Sequence, residues 1–233
     1  MTNTPPFHLA IDGPVAAGKG TVSRLAADRL GFLYVDTGAM YRVAAFLAVE
    51  AGVDLTDEAA VTELVSHATI EMHNPLEAEK DGRLTTVIVN GVDVSWKIRT
   101  EAISAGSSKV AAYPKVREIL VKKQQAIAAG QDVVMEGRDI TYRVLPEAQL
   151  KIFLTGSDVI RASRRHLQLQ TRGEDISYEE VLAGIKQRDE QDIHRTTDPL
   201  KRIPEAWEID TSELSIDQVV DMIVSRANVM RSM

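Results

Sequence analysis

Nine consecutive residues, Gly13, Pro14, Val15, Ala16, Ala17, Gly18, Lys19, Gly20 and Thr21, gather the groups that hold a polyphosphate. A glycine-rich turn ahead of a helix aims successive backbone N–H groups at one point. The helix N-terminus adds the positive end of its dipole. Lys19 supplies a full charge for β- and γ-phosphates, and Thr21 supplies a hydroxyl suited to magnesium. A turn that merely joined a strand to a helix would need neither. The pattern predicts a nucleoside triphosphate site.

Two further clusters suit a second anionic substrate. Asp36-Thr37-Gly38-Ala39-Met40-Tyr41-Arg42 places an acid, a hydroxyl and a guanidinium within seven residues. Thr37 could equally cap the following helix. In Gly137-Arg138-Asp139, the glycine allows a close turn and Arg138 can give planar, paired hydrogen bonds to a phosphate. Asp139 would then be free to accept from a base or sugar. A third region, from Arg161 to Arg202, holds seven of the seventeen arginines: Arg161, Arg164, Arg165, Arg172, Arg188, Arg195 and Arg202. Arg161, Arg164 and Arg165 share one helical face by spacing, as do Arg188, Asp192 and Arg195. The plain alternative is a solvated, salt-bridged helix pair. Beside a phosphate loop, an arginine-bearing lid is the better reading.

The elements that must position these groups are legible. Phe7–Asp12, Phe32–Asp36, Asp132–Glu136, Leu150–Leu154 and Ala206–Asp210 are short apolar runs separated by helical patterns, the sign of a parallel sheet built from β–α–β crossovers. Several end in an acid at the carboxyl end, where ligands gather in open α/β sheets. Capping is the simpler role for such an acid, and the preferred one for Asp210. Residues 53–98 interrupt the alternation. Thr56 opens a capped helix, strands follow, and Asn90-Gly91 signals a hairpin before Val92. This is a small antiparallel insertion, too short to stand alone. Pro114 separates two helices within 99–129, and Gly130 closes the second. The expected fold is α/β of the P-loop NTPase type: a five-stranded parallel sheet flanked by helices. Its core spans 1–52, 99–156 and 199–233, with the β-rich insertion at 53–98 and the arginine-rich helical lid at 157–198.

Bulk properties narrow the partners. The 233 residues are 44% hydrophobic and carry a net charge of −7. That balance argues against a general affinity for nucleic acid or anionic membranes. The absence of cysteine excludes disulfides, thiolate metal sites and cysteine nucleophiles. No secretory signal or membrane-spanning run is visible. A cytoplasmic monomer acting on small nucleotides is the expectation.

The Gly-Lys-Gly-Thr ending is similar to that of nucleoside monophosphate kinases. With the rest of the motif set, the chain resembles the bacterial cytidylate kinases over nearly its whole length. The matching pieces are Gly13–Thr21, Asp36–Arg42, Ile98-Arg99-Thr100, Val110–Arg117, Gly137–Ile140, Lys151–Leu154 and Arg188–Asp192. The insertion after the second strand also fits. The resemblance implies transfer of the γ-phosphoryl group of ATP to CMP or dCMP with magnesium. It further implies that Ser108, Arg117 and Asp139 read the cytosine ring and that Arg188 and Asp192 meet the ribose. Thr37, Arg42 and Arg138 would bind the monophosphate, with Arg195 near it. Arg161 and Arg165 would approach the transferring group beside Lys19, and Asp36 would help Thr21 order magnesium, through water if not directly. Where the family continues with Gly-Thr-Val-Val after Gly-Arg-Asp-Ile, this chain has Thr141-Tyr142-Arg143-Val144, which bears on base discrimination and the local backbone path.

The implied chemistry needs no strong base, because a phosphate monoester with a second pKa of about 6 is already ionised at neutral pH. No Ser-His-Asp or paired-carboxylate arrangement competes with it. Two other readings make different demands on the sequence. A kinase of another acceptor, such as UMP, AMP or shikimate, would in the hydroxyl case want an acid near Gly38. A nucleotide-dependent switch would want an Asn-Lys-x-Asp motif, which the sequence lacks.

Overall fold

The five apolar segments, four of them ending in an acid, pair in parallel. The computed structural model describes residues 5–171 and 173–232, so Arg172, counted above among the lid arginines, lies outside the described residues. The chain runs through β1 (His8–Asp12), α1 (Lys19–Leu30), β2 (Leu33–Asp36), α2 (Thr37–Glu50) and α3 (Glu58–His67). It continues with β3 (Ile70–His73), β4 (Thr86–Val89), β5 (Val92–Asp93), α4 (Glu101–Val110) and α5 (Pro114–Ala128). It ends with β6 (Val133–Gly137), β7 (Leu150–Thr155), α6 (Asp158–Thr171), α7 (Tyr178–His194), β8 (Trp207–Asp210) and α8 (Ile216–Arg231).

The main sheet has the order β2-β6-β1-β7-β8, all parallel. The chain leaves β1 toward one edge and later returns to build the other. That reversal opens a crevice at the carboxyl ends of β1 and β6. Alternation along the strands feeds two cores. Leu9 and Ile11 of β1 pack with Val22 and Ala26 of α1 and with Val220 and Ile223 of α8. Ala10 faces the other way, toward Val35, Met40, Ala44, Leu120 and Met135. Buried on both faces, these strands need continuous apolar runs, and they have them.

The small sheet β3-β4-β5 is antiparallel, and its hairpin turns at Asn90 (φ 50°) and Gly91 (φ 80°). Val61 and Val65 of α3 and Val87 and Val89 of β4 join the core that α2 and α5 line. The insertion therefore shares a core and has none of its own. One boundary differs from expectation. Asp57, not Thr56, caps α3: its carboxylate accepts the Ala60 N–H at 3.0 Å. The Thr56 amide donates to Asp54 at 2.8 Å, and this turn delays the helix by one residue.

Helices α6 and α7 form a hairpin with four buried apolar residues, Ala162, Leu169, Val181 and Ile185, and Val15 and Ala16 of the phosphate loop pack against them. Lys186–Asp158 at 3.3 Å and Arg161–Asp189 at 2.6 Å link the two helices. The salt-bridged helix pair is thus present, and it rests on the loop. Among the described residues, no helix is long and apolar enough to cross a membrane.

Candidate active site

The loop between β1 and α1 is shaped by close approach. A Cβ on Gly13 would lie 2.0 Å from the Leu154 carbonyl oxygen, so only glycine lets the loop cross β7 there. Ala16 (φ 58°) and Gly18 (φ 86°) are left-handed. Gly18 is the N-cap of α1 and brings no capping side chain, which leaves first-turn amides for a ligand. Lys19 is buried, and its ammonium donates to the Gly13 and Pro14 carbonyls, each at 2.8 Å. Burial, and then the like charge of Arg138, lower it to about 7. An arriving phosphate would restore its proton.

The helix pair α6–α7 braces this loop. Arg161 donates to the Val15 carbonyl at 2.8 Å, the Gly156 carbonyl at 2.9 Å and Asp189 at 2.6 Å. Asp189 also accepts the Val15 N–H at 3.0 Å. Arg161, expected at the transferring group, is buried and gives its Nε and Nη1 donors to backbone carbonyls and Asp189. Arg164 turns away to Thr211, and Arg165 alone of the three lines the cleft. Helical spacing put them on one face, but long side chains from that face diverge.

The ends of β2 and β6 form the floor. Asp36, not Thr37, caps α2 by accepting the Ala39 N–H at 3.1 Å. Thr37 is the first helical residue, and its hydroxyl donates to the Glu136 carbonyl at 2.8 Å. Asp36 also pairs with Arg42 at 2.5 Å, with Arg99 at 4.0 Å. Burial pushes its carboxyl up, but Arg42 and then Arg99 outweigh burial and hold it below the usual range. Two guanidinium groups thus engage the carboxylate expected to help order magnesium. Buried donors on Arg42 (Nε) and Arg99 (Nε and Nη2) have no hydrogen-bond partner among the described residues. Orphaned guanidinium donors in a cleft wall call for an anion. Within the Ile98-Arg99-Thr100 motif, no sequence signal assigns Arg99 this role.

The turn after β6 is held by a residue that the motif reading passed over. Asp12, fully buried, accepts the Ile140 N–H at 2.9 Å, the Thr141 N–H at 2.8 Å and the Thr141 hydroxyl at 2.7 Å. Burial raises its carboxyl to about 6 against the pull of those bonds. The turn it anchors presents Arg138 and Asp139. Arg138 donates through Nε to Asp192 at 2.6 Å and through Nη1 to the Gly137 carbonyl at 3.1 Å. The turn after β6 and helix α7 meet in that pair.

Asp139 was expected free, and it is not. Its Oδ2 accepts from Arg117, and Arg195 lies 3.8 Å from Oδ1. Burial pushes the carboxyl up against these cations. Arg117 is 1% exposed, lies 5.3 Å from the centroid of the Tyr41 ring, and donates to Asp198 at 3.0 Å and the Ala111 carbonyl at 3.1 Å. Ser108, Arg188, Asp192 and Arg195 line the same end, and Arg188 has no hydrogen-bonding partner among the described residues.

Lys19, the floor of Arg42, Arg99 and Arg138, and Asp139 with Arg117 face one cleft of about 750 Å³, into which Gly18, Gly20, Thr21 and Arg165 also open. Among the described residues, nine Lys and Arg side chains line it against four Asp and Glu, so a protein of net charge −7 concentrates positive charge here. Charge collected in a concave, poorly solvated wall is worth far more than the net balance implies. None of the five histidines lines the cleft.

Comparison with known proteins gives a consistent picture. Residues 9–229 match the family model described as cytidylate kinase. The cytidylate kinase of Pseudomonas fluorescens is 44% identical over 225 residues, covering 97% of this chain and 96% of its own. That of Geobacillus kaustophilus is 46% identical over 222 residues, covering 95% and 96%, and that of Bacillus subtilis is 45% identical over 218 residues, covering 94% and 95%. Among solved structures, an uncharacterized protein from Eubacterium ventriosum aligns with a TM-score of 0.51 at 12% identity, covering 95% of this chain and 98% of that one. That likeness speaks to the fold alone.

Proposed function

This chain belongs to the cytidylate kinase family, and on that premise we propose how its cleft transfers the γ-phosphoryl group of ATP to CMP or dCMP, releasing ADP and CDP or dCDP. The observation that carries the reading is the pairing of two anion sites on one cleft: the phosphate loop with Lys19, and the floor of Arg42, Arg99 and Arg138. Between them, two polyanions would be held in line while charge spreads over the moving group. Thr37, Arg42 and Arg138 hold the acceptor phosphate, with Arg195 nearby. Arg188 and Asp192 meet the sugar, and Ser108, Arg117 and Asp139 read the base. Arg165, on the lid side, approaches the transferring group. The acceptor oxygen is ionised at neutral pH, so the lack of a histidine in the cleft is no obstacle.

Magnesium fits this cleft in one way. Thr21 offers an exposed hydroxyl at the start of α1, and Asp36 is engaged by arginines. Among the described residues, no group of three acidic or histidine side chains could cage a metal. Those donors suit an ion that takes most ligands from phosphates and water, with Thr21 as one ligand and Asp36 acting through water. Such an ion supplies charge neutralisation on the β- and γ-oxygens. Residues 157–198 act as the lid over this site, and residues 53–98 belong to its acceptor side. The enzyme works with its nucleotide substrates in the cytoplasm.

The test is ADP formation from Mg-ATP with CMP, dCMP, UMP and AMP supplied separately. Strong turnover with CMP and dCMP is expected. Preference for UMP or AMP would overturn the acceptor assignment, and silence with all four despite ATP binding would overturn the kinase reading.

A further inference from the structure

The segment Thr141-Tyr142-Arg143, which departs from the family pattern, meets the chain just after the lid. Residues 140–144 form a π-helical turn. From it the Tyr142 hydroxyl donates to the Pro199 carbonyl at 2.5 Å, the Lys201 ammonium sits 4.3 Å from the Tyr142 ring centroid, and Arg143 lies 3.6 Å from Asp198. The Leu200 N–H donates to the Asp192 carbonyl at 2.8 Å. Held among these contacts is Asp198, a non-glycine residue with a left-handed backbone, φ 46°. Such a conformation persists only where the surroundings over-determine it, and it collects at functional sites.

Apart from Arg143, the partners of Asp198 lie at the acceptor end of the cleft. Its Oδ2 accepts Arg117 Nε–H at 3.0 Å, and its main-chain carbonyl accepts Arg195 Nε–H at 2.7 Å. Arg117 is therefore divided between two carboxylates. Its Nε edge faces Asp198 while Nη2 alone reaches Asp139 Oδ2. A guanidinium facing a single carboxylate closes onto it as a fork and occupies both oxygens. Drawn aside by Asp198, Arg117 leaves Asp139 Oδ1 without a hydrogen-bond donor among the described residues, Arg195 standing off at 3.8 Å.

We propose that Asp198 is a positioning residue for acceptor selection: it keeps Arg117 to one oxygen of Asp139, so that the other can accept a hydrogen bond from a base amino group. The inference rests on the acceptor reading above and deepens it. Cytosine presents a donor at its N4 position, whereas the uracil O4 that replaces it can only accept. Asp198 therefore contributes to discrimination without touching substrate. Tyr142, Arg143 and Lys201 hold the 198–201 segment in place, which gives the altered motif a role.

The test compares kcat/KM for CMP and UMP in wild-type, Asp198→Gly, Asp198→Asn and Tyr142→Phe enzymes, with KM for ATP and the melting temperature measured alongside. Glycine takes the left-handed backbone without strain and keeps the carbonyl that Arg195 uses, so it removes only the carboxylate. Loss of one charge-assisted contact at the base should lower the CMP-to-UMP preference about 10-fold in Asp198→Gly. The KM for ATP should stay within about twofold, since the phosphate loop is untouched. Asp198→Asn keeps an acceptor oxygen and a tolerated backbone, and should recover part of the preference. Tyr142→Phe should shift the ratio in the same direction by about threefold, and with Asp198→Asn it decides the matter if Asp198→Gly does not fold. An unchanged ratio, or equal losses for CMP and UMP, would overturn the proposal. A wild-type enzyme with no preference for CMP would instead overturn the acceptor reading, and this inference with it.

Discussion

Replacing Arg138 with alanine is expected to lower kcat by about 10² to 10³ while leaving the fold intact. Arg138 Nε is held by Asp192 at 2.6 Å and Nη1 by the Gly137 carbonyl at 3.1 Å. Nη2 has no partner among the described residues, in a side chain lining the cleft that the phosphate loop shares. Such a donor is fixed before reaction and meets charge that develops during transfer. Its removal corresponds to about 3–4 kcal/mol of barrier. The structural cost is smaller. Arg138 and Asp192 are 20% and 18% exposed, and Arg195 lies 3.9 Å from Asp192 to share its charge. Loss of the pair should destabilise by about 1–2 kcal/mol, or several degrees in Tm. Initial rates of ADP formation at saturating Mg-ATP and CMP, with a thermal melt on the same samples, separate the two. A kcat within threefold of wild type at unchanged CMP KM would refute the reasoning. A loss confined to CMP KM would reduce Arg138 to ground-state binding. Arg138→Lys restores charge but not the planar fork, and should fall about tenfold short of wild type.

Lys19 carries a pH signature. Lowered to about 7, it is largely deprotonated at pH 8, and phosphates returning it to its ordinary range near 10.4 should take up about 0.9 proton per bound nucleotide there and about 0.1 at pH 6. Calorimetry in buffers of different ionisation heat reads this directly; uptake that is flat with pH, or equal in Lys19→Gln, would contradict it. By the same linkage, the unfolded chain binds the proton that native Lys19 lacks, so stability should rise with pH between about 7 and 10. Arg161→Met should act through the loop. With the ion-pair side chains only 7% and 13% exposed, leaving Asp189 unmatched should destabilise by about 3 kcal/mol and raise the ATP KM, with the CMP KM near normal. Full stability in urea denaturation with kcat reduced about 10² would instead place Arg161 at the transferring group.

Much of this site is local in the chain. The nine residues of the phosphate loop lie between one strand and one helix, and the acids at the ends of β1, β2 and β6 follow directly from the strand pattern. The cap of α3 falls at Asp57 rather than Thr56, and of the two candidates at α2 it is the strand-ending acid Asp36, not Thr37, that caps, because neighbouring polar side chains compete for the same amides and packing chooses between them.

The sequence by itself determined the parallel sheet, the triphosphate loop, the small antiparallel insertion and the presence of an arginine-rich helix pair. Each depends on periodicity or on groups within a few residues of one another. Tertiary structure alone decided which charges meet. Arg161 turns to the loop carbonyls while Arg165, one helical turn on, faces the cleft. Arg117 is shared between Asp139, 22 residues away, and Asp198, 81 residues away. Guanidinium and carboxylate groups attract without regard to order in the chain, and many pairings of seventeen arginines satisfy composition equally well. Only the packed arrangement of β6, α5 and the lid exit selects one of them.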